Sequence, residues 1–238
     1  MKHKALIFSI TLNLFLIAVV CIEETQGHVI GLALERRGFI TLDAKSHPDF
    51  WARASWNSCI EKMGQEYDVA FFGNSITRGG DFQNYFPEKK IINLGLAGDN
   101  LIGMIQRVKV LKASKPKKVF IMAGTNDLHH LSLDKFKERY TMLVSEVKKE
   151  LPGSELYCQS VLPMNHQLKP DAPSDEKIRE ANAIINNVSN SWGGVYLDLY
   201  SLYDKDGELS EKMTKDGIHL KEEYYMLWIK KIRCYVLE

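Results

Sequence analysis

The sequence is poor in most of the features that mark a specialised protein class. Its 238 residues hold four cysteines, too few over that length for a disulfide-stapled scaffold. No sign of charge dominates: 31 Lys+Arg against 30 Asp+Glu leave a net +1, so no global field draws the chain to nucleic acid or anionic lipid. There is no internal repeat, low-complexity tract or linker-like composition break, which leaves one domain, or one domain with decorations. Long apolar runs are also missing. The uncharged stretch at 5–20 has sixteen residues, where a spanning helix needs about 20, and a multi-span membrane protein is excluded. What remains is an ordinary balance of 45% apolar and 26% charged residues, which excludes disorder and collagen. A chain of this size can bury roughly 70% of its unfolded surface, enough for a full core without staples.

The first residues read as an address. Lys2, His3 and Lys4 precede ALIFSITLNLFLIAVV at 5–20, the basic start and short apolar segment of a secretory signal. Thr25 and Gly27 are small enough for a cleavage site, so 1–27 is expected to be removed, His28 to be the mature start and the protein to be secreted or periplasmic. Cys21 opens a second reading, lipid attachment, although Val20 stands where lipoprotein signals carry a small residue. Removing 1–27 leaves Cys59, Cys158 and Cys234. Cys158 lies in an apolar strand pattern and reads as a buried thiol; a Cys59–Cys234 bridge is open from sequence. Asn187-Val188-Ser189 fits a glycosylation acceptor.

Beyond this the chain alternates strand and helix. Residues 28–66 read as a leader followed by a helix, with Phe50, Trp51, Trp56, Ile60 and Met63 forming a helical stripe over 48–65. The main domain is expected over 67–238. Apolar runs at 67–72, 91–94, 118–123, 155–162 and 195–199 predict five strands. Helical patterns at 99–113, 132–151, 174–191 and 220–236 predict the connecting and closing helices, with Ser132 as an N-cap and Pro152-Gly153 as a stop. Such alternation implies βαβ units with right-handed crossovers. The expected fold is a three-layer α/β/α sandwich with a five-stranded parallel sheet in flavodoxin-like order.

In open α/β sheets ligands bind outside the carboxyl ends of the strands. There the sequence places Gly73-Asn74-Ser75-Ile76-Thr77, Gly95-Leu96-Ala97-Gly98-Asp99-Asn100, Gly124-Thr125-Asn126-Asp127 and, after the fifth strand, Asp216-Gly217-Ile218-His219. A serine, a backbone-exposing glycine, an amide side chain and an Asp/His pair are the equipment of acyl transfer. Ser75 needs a base within hydrogen-bond reach. His219 suits that role, and Asp216, three residues earlier, is placed to orient the imidazole. Each block alone has a plainer reading: a serine cap, turn chemistry at Asn126-Asp127 and Asp216-Gly217, a surface histidine.

Together, in order, these blocks resemble the SGNH hydrolases, the GDSL-type esterases and lipases, over nearly all of residues 67–237. The GNSIT and GTND forms most resemble the platelet-activating-factor acetylhydrolase-like branch, with its bacterial carbohydrate esterases. Asn74 replaces the aspartate usual before the serine, which spares the nucleophile and removes a neighbouring carboxylate. The resemblance implies the SGNH fold, a serine esterase without cofactor, and an oxyanion hole from the Ser75 N–H, the Gly98 N–H and the Asn126 amide. Asn74, Asp99, His130 and Asn165 are candidates for contact with substrate. The substrate implied is a short acyl ester, O-acetyl on a carbohydrate foremost, since the short loops leave little room for the lid of a long-chain lipase.

Rival readings are a phospholipid or other lipid acyl hydrolase, a non-catalytic carbohydrate-binding relative, and a flavodoxin-like nucleotide or FMN binder. The last leaves Asp216 and His219 unexplained. Asp127, His129 and His130 raise the question of a metal, but adjacent histidines diverge on a regular element and no ligand spacing such as H-E-x-x-H is present, so no metal is expected. Lys112, Lys115, Lys117 and Lys118 around Pro116 read as a solvated turn on the edge away from the site. Asn165, His166 and Gln167, after strand four, read equally as substrate contacts or as an ordinary polar loop. Expected partners are a small-molecule or glycan ester, with no nucleic acid, and a membrane only through the signal segment or a lipid at Cys21.

Overall fold

The computed structural model describes residues 59, 60, 62 and 64–238. The signal segment 1–27, Cys21, the leader at 28–46 and the stripe residues Phe50, Trp51, Trp56 and Met63 lie outside the described residues. Five strands form one parallel sheet in the order β2-β1-β3-β4-β5: β1 Val69–Gly73, β2 Ile91–Gly95, β3 Lys118–Met122, β4 Glu155–Gln159 and β5 Val195–Leu197. This is the flavodoxin-like order expected from the alternation of elements. β1 and β3 are buried along their whole length, as central parallel strands covered on both faces must be.

The two-residue period of the strands feeds two separate cores. Ala70, Phe72, Leu94, Val119 and Ile121 point to one face, against α3 (Leu101–Ser114), α4 (Leu133–Glu150) and α5 (Asp175–Ser191). Val69, Phe71, Phe120 and Met122 point to the other, against α2 (Phe82–Tyr85) and α7 (Tyr225–Leu237). On this second face the registered neighbours Phe71, Phe120 and Tyr157 stack across three strands, with ring centroids 5.0 and 4.5 Å apart. Phe82 of α2 and Tyr235 of α7 continue the row at either end. Trp228 packs edge-on against Phe82 and donates its indole N–H to Gln159 Oε1 at 2.6 Å. Offset aromatic pairs add about 0.5–1.5 kcal/mol each beyond their buried area, so this row is a main tie between α7 and the sheet.

Local chemistry sets the ends of the elements. Ser132 and Ser174 accept the N–H groups of Lys135 and Lys177 and so cap α4 and α5. α4 buries Phe136, Tyr140, Leu143, Val144 and Val147, one stripe at helical spacing. β4 ends at Gln159, short of the expected Leu162, because both backbone groups of Val161 are taken by the Asn182 amide (2.8 and 3.0 Å). α7 starts at Tyr225 and not at 220, because Leu220 is bridged to Thr214 and a 3-10 turn, Glu222–Tyr224, intervenes. Four features have no counterpart in the sequence pattern: α1 (Ser75–Arg78), α2, α6 (Tyr200–Tyr203) and the hairpin β6–β7 (Asp204–Lys205, Glu208–Leu209).

The lysine cluster around Pro116 needs correcting in one respect. Lys112, Lys115 and Lys117 are exposed and paired with Glu150, Glu66 and Asp68. Lys118 is only 8% exposed and donates to the Tyr235 carbonyl near the end of α7 at 2.8 Å. Cys158 is buried, while Cys59 and Cys234 are exposed free thiols. Asn187 is on the exposed side of α5, with Ser189 of the same triplet buried.

Candidate active site

Parallel register brings Gly73, Gly95 and Met122 level with one another at the carboxyl edge. The chain leaves β1 directly into α1. Asn74 caps that short helix by accepting the Ile76 N–H at 3.0 Å, which makes Ser75 its first residue. The turn is fastened to the neighbouring strand: Asn93 donates to the carbonyls of Thr77 (2.9 Å) and Gly80 (2.8 Å) and accepts the Gly95 N–H. Tyr225 of α7 donates to Ile76 O at 2.7 Å. Ser75 is thus held half-buried on a braced turn.

His219 reaches this serine from 144 residues further along the chain: its Nε2 lies 2.8 Å from Ser75 Oγ. Its other nitrogen, Nδ1, lies 2.7 Å from Asp216 Oδ2. With a proton on Nδ1 bonded to the carboxylate, Nε2 is the acceptor for the serine O–H. Asp216 Oδ1 also accepts the backbone N–H groups of Ile218 (3.0 Å) and His219 (2.9 Å). Burial works to raise the Asp216 carboxyl. The His219 amide, the imidazole and the Ile218 amide outweigh it and hold the group below the usual carboxylate value. The turn closes on itself through Thr214, whose hydroxyl donates to His219 O and accepts the Gly217 N–H, both at 2.9 Å. A hydroxyl bonded to a neutral imidazole that is bonded in turn to a carboxylate is equipped to lose its proton to the ring as it attacks.

The other two strand-end loops are tied to each other at the same carboxyl edge. Gly98 is half-exposed and has a left-handed φ of +69°. Asn126, also half-buried, donates Nδ2 to Asp99 O at 2.7 Å, which ties the third loop to the second. An amide NH2 has two hydrogens, so one remains to point outward. Beneath them, the Asp127 carboxylate accepts the Leu101 N–H at the start of α3 (3.1 and 3.2 Å), and Asn100 caps the same helix through Gly103 N–H.

Three of the residues expected to touch substrate are engaged elsewhere. Asn74 is 1% exposed and serves as the cap just described. Asp99 is also 1% exposed and pairs with Arg107, which additionally donates to Leu94 O (3.2 and 3.3 Å). Burial pushes the Asp99 carboxyl up, and Arg107 opposes that rise. Asn165 is 5% exposed with both ends of its amide bonded to backbone. His130 is half-buried at the end of the 3-10 turn Asp127–His129, on the same loop as Asn126. Arg107, Asn93 and Thr214 were not singled out from sequence. Only Arg107 leaves a trace there, as a charge on the stripe otherwise formed by Met104, Val108 and Leu111.

A groove of about 230 Å³ runs between α5 and β5, lined by Arg179, Asn182, Asn186, Tyr196, Asp198 and Tyr200 among others. Its polar groups are engaged internally: Arg179 with Asp175 and Asp204, Asn182 with Val161, and Asp198 with Ser201. The arrangement capable of chemistry is the one at Ser75.

Solved structures of similar fold share about a fifth of its sequence. A GDSL-like lipase from Bacteroides thetaiotaomicron is 22% identical, covers 79% of this chain and 97% of its own, and superposes with a TM-score of 0.65. A lipase/acylhydrolase from Enterococcus faecalis is 21% identical over 70% and 95% of the two chains, with a TM-score of 0.59. A mutant of an acetyl-xylooligosaccharide esterase from Geobacillus Stearmophilus is 17% identical over 74% and 97%, also at 0.59. At such identities the likeness concerns the fold. Among curated proteins no match to the sequence is found. The model of the GDSL-like lipase/acylhydrolase family matches residues 71–227, a span that runs from the strand before Ser75 to beyond His219, and the chain therefore belongs to this family of carboxylic ester hydrolases.

Proposed function

We propose that this esterase removes short acyl groups, O-acetyl groups of carbohydrates foremost, through an acyl-enzyme on Ser75, and that it works after export from the cytoplasm. The observation that carries the catalytic part is the unbroken contact from Asp216 through His219 to Ser75, at 2.7 and 2.8 Å. Ser75 Oγ attacks the ester carbonyl carbon while its proton passes to His219 Nε2. The carbonyl oxygen becomes an oxyanion and takes hydrogen bonds from the Ser75 and Gly98 N–H groups and the second hydrogen of the Asn126 amide. As the intermediate collapses, the C–O bond to the alcohol breaks and His219 returns the proton to that oxygen. A water molecule then repeats the sequence on the acyl-serine, giving the carboxylic acid and free Ser75. Asp216 keeps its charge throughout and stabilises the imidazolium.

The substrate class draws on two supports. β1 runs straight into α1 and β2 into α3 by way of residues 96–100, so these loops are too short to form a lid over a long acyl chain. The Geobacillus Stearmophilus relative, of the same fold, is an acetyl-xylooligosaccharide esterase. Export draws on the basic start and uncharged run at 5–20, with lipid attachment at Cys21 as the alternative to cleavage before His28.

The test is acetate release from a panel of acetylated glycans, run beside a nitrophenyl acetate and a phospholipid. Activity on acetylated glycans that falls about a thousandfold or more in Ser75→Ala is the expected result. Acyl release from phospholipid alone would overturn the carbohydrate reading, and wild-type turnover by Ser75→Ala would overturn the nucleophile. Mass spectrometry of protein from its native host checks export: a start near His28 or a lipidated Cys21 is expected, and an intact Met1 on cytoplasmic protein would refute it.

A further inference from the structure

We infer that Asn165 is a positioning residue for the Asp216–His219 pair, a buried clamp between the loop that follows β4 and the turn that carries both catalytic groups. The inference rests on the reading of Asp216 and His219 as that pair. Three hydrogen bonds join Met164–Asn165 to the stretch 209–217. Leu209 N–H donates to Met164 O (3.3 Å), Asn165 Nδ2 donates to Leu209 O (2.8 Å), and Asn165 N–H donates to Gly217 O (2.9 Å). The remaining end of the Asn165 amide accepts Leu168 N–H at 2.9 Å, and its carbonyl accepts Lys169 N–H at 2.9 Å. The side chain therefore fixes its own loop and grips the strand residue from which the catalytic turn departs.

Gly217 is the point where this grip reaches the chemistry. It lies between Asp216 and Ile218, with its N–H held from inside the turn by Thr214 Oγ1 (2.9 Å) and its carbonyl held from the far side by Asn165. Its φ is +93°, and a Cβ there would sit 2.9 Å from Lys169 Cβ and 3.0 Å from Asn165 O. The contact is thus too close for any residue but glycine. On the solvent side the bracing is by exposed groups: Lys215 donates its N–H to His219 O (2.9 Å) and pairs its side chain with Glu222, and more than half of the Asp216 side chain faces water. The direction in which Asp216 and His219 point is set from beneath, by Asn165 and Thr214. A misplacement of about 1 Å between reacting groups can cost on the order of a hundredfold in rate, so loosening this clamp acts on turnover while the substrate pocket stays intact.

The experiment measures kcat and KM on a small acetate ester for Asn165→Ala, Asn165→Asp, Gly217→Ala and His219→Ala, each well below its own Tm. It also records the downfield Nδ1 proton of His219 by NMR. Asn165→Ala removes the bonds to Leu209 O and Leu168 N–H; Asn165→Asp keeps the second and turns a carboxylate oxygen onto the first. Both should lower kcat by about ten- to a hundredfold, leave KM within about twofold, and broaden or abolish the Nδ1 resonance. Gly217→Ala strains the turn itself and serves as the positive control for a misdirected Asp216–His219 pair; Asn165→Asp, which keeps the Leu168 contact, decides the matter if Asn165→Ala does not fold. Folded variants with wild-type kcat, an unchanged Nδ1 signal and only a lower Tm would reduce Asn165 to a structural residue and overturn the inference. A raised KM at unchanged kcat would make it a substrate contact and overturn it equally. Full activity in His219→Ala is a separate outcome that removes the catalytic reading beneath it.

Discussion

His219 sits between two oxygens of opposite purpose, the Ser75 hydroxyl at 2.8 Å and the Asp216 carboxylate at 2.7 Å. Its two neighbours should therefore respond differently to mutation. On the proposed mechanism His219→Ala removes proton transfer and leaves only binding and oxyanion stabilisation. Asp216→Asn keeps the shape but favours the wrong imidazole tautomer, and about a 10⁴-fold loss of kcat is expected by analogy with other triads. Asp216→Ala should lose less, since water can enter that exposed position. The Asp216→Ala/His219→Ala double variant should be hardly worse than His219→Ala alone, measured as kcat/KM on one ester; fully additive losses would separate the two residues. The pH dependence has a definite sign. Because the folded state holds the Asp216 carboxyl below its ordinary value, its stabilisation is complete above the unfolded value and disappears only as pH falls through the folded one. Asp216→Asn should therefore remove this acid-side loss of stability, followed as Tm against pH. The contact among Ser75, His219 and Asp216 was legible in sequence because each stands in a strand-end or turn block that the alternation of elements brings to one edge. The roles of Asn74, Asp99 and Asn165 were not legible. A polar side chain at a strand end has the same letter whether it faces a substrate, caps a helix or pairs inside, and only the partner atoms distinguish these.

Among the elements, α3 shows how a helix is tied to the site it serves. Its N-terminus is held by Asn100 and Asp127, and from its second turn Arg107 reaches back to Asp99 and Leu94 O. The guanidinium also lies over the Phe72 ring, 4.9 Å from its centroid. Asp99 follows Gly98 directly and its carbonyl receives the Asn126 amide, so the ion pair lies under both loops of the expected oxyanion hole. Removing one partner of a buried pair strands the other and costs about 3–5 kcal/mol. Arg107→Leu should lose that much in denaturant unfolding and should also lower kcat, through the Gly98–Asp99 turn. A loss under 1 kcal/mol would mean that Asp99 finds water or a proton with ease. The long strands and helices were legible because their apolar period runs for many residues. α1, α2 and α6 span four residues each, about one turn, which is too short for any period to register. They arise from caps and tertiary contacts: Asn74 and Tyr225 at α1, Phe82 stacked on Phe71 at α2.

At the scale of the whole molecule, one sheet separates two cores, and the helices next to Ser75 and His219 both pack into the second of them. Ser75 rides on β1, while the helix after His219 is held by the aromatic row on the second face. Phe120 is the centre of that row, fully buried between Phe71 and Tyr157. Phe120→Ala should destabilise the fold by about 3–5 kcal/mol and do so in one cooperative transition, followed by circular dichroism and activity together. Separate transitions for the two signals would show α7 melting independently of the sheet. The order of strands was legible because βαβ connections leave few alternatives.

On the proposed mechanism, the 144-residue separation of Ser75 and His219 also sets when the enzyme becomes reactive. A growing chain exposes its nucleophile early, and β1, β2 and β3 hold the residues that frame it. The base belongs to the turn at 214–219, which arrives after every strand of the main sheet has been made. Until that turn docks, Ser75 is an ordinary alcohol, no more reactive than any serine on the surface. Hydrolysis is thus delayed until synthesis and folding are nearly complete, and a chain arrested before residue 216 carries Ser75 without its base. Because long-range contacts form late in folding, return of esterase activity during refolding reports the final docking step, not the formation of the sheet.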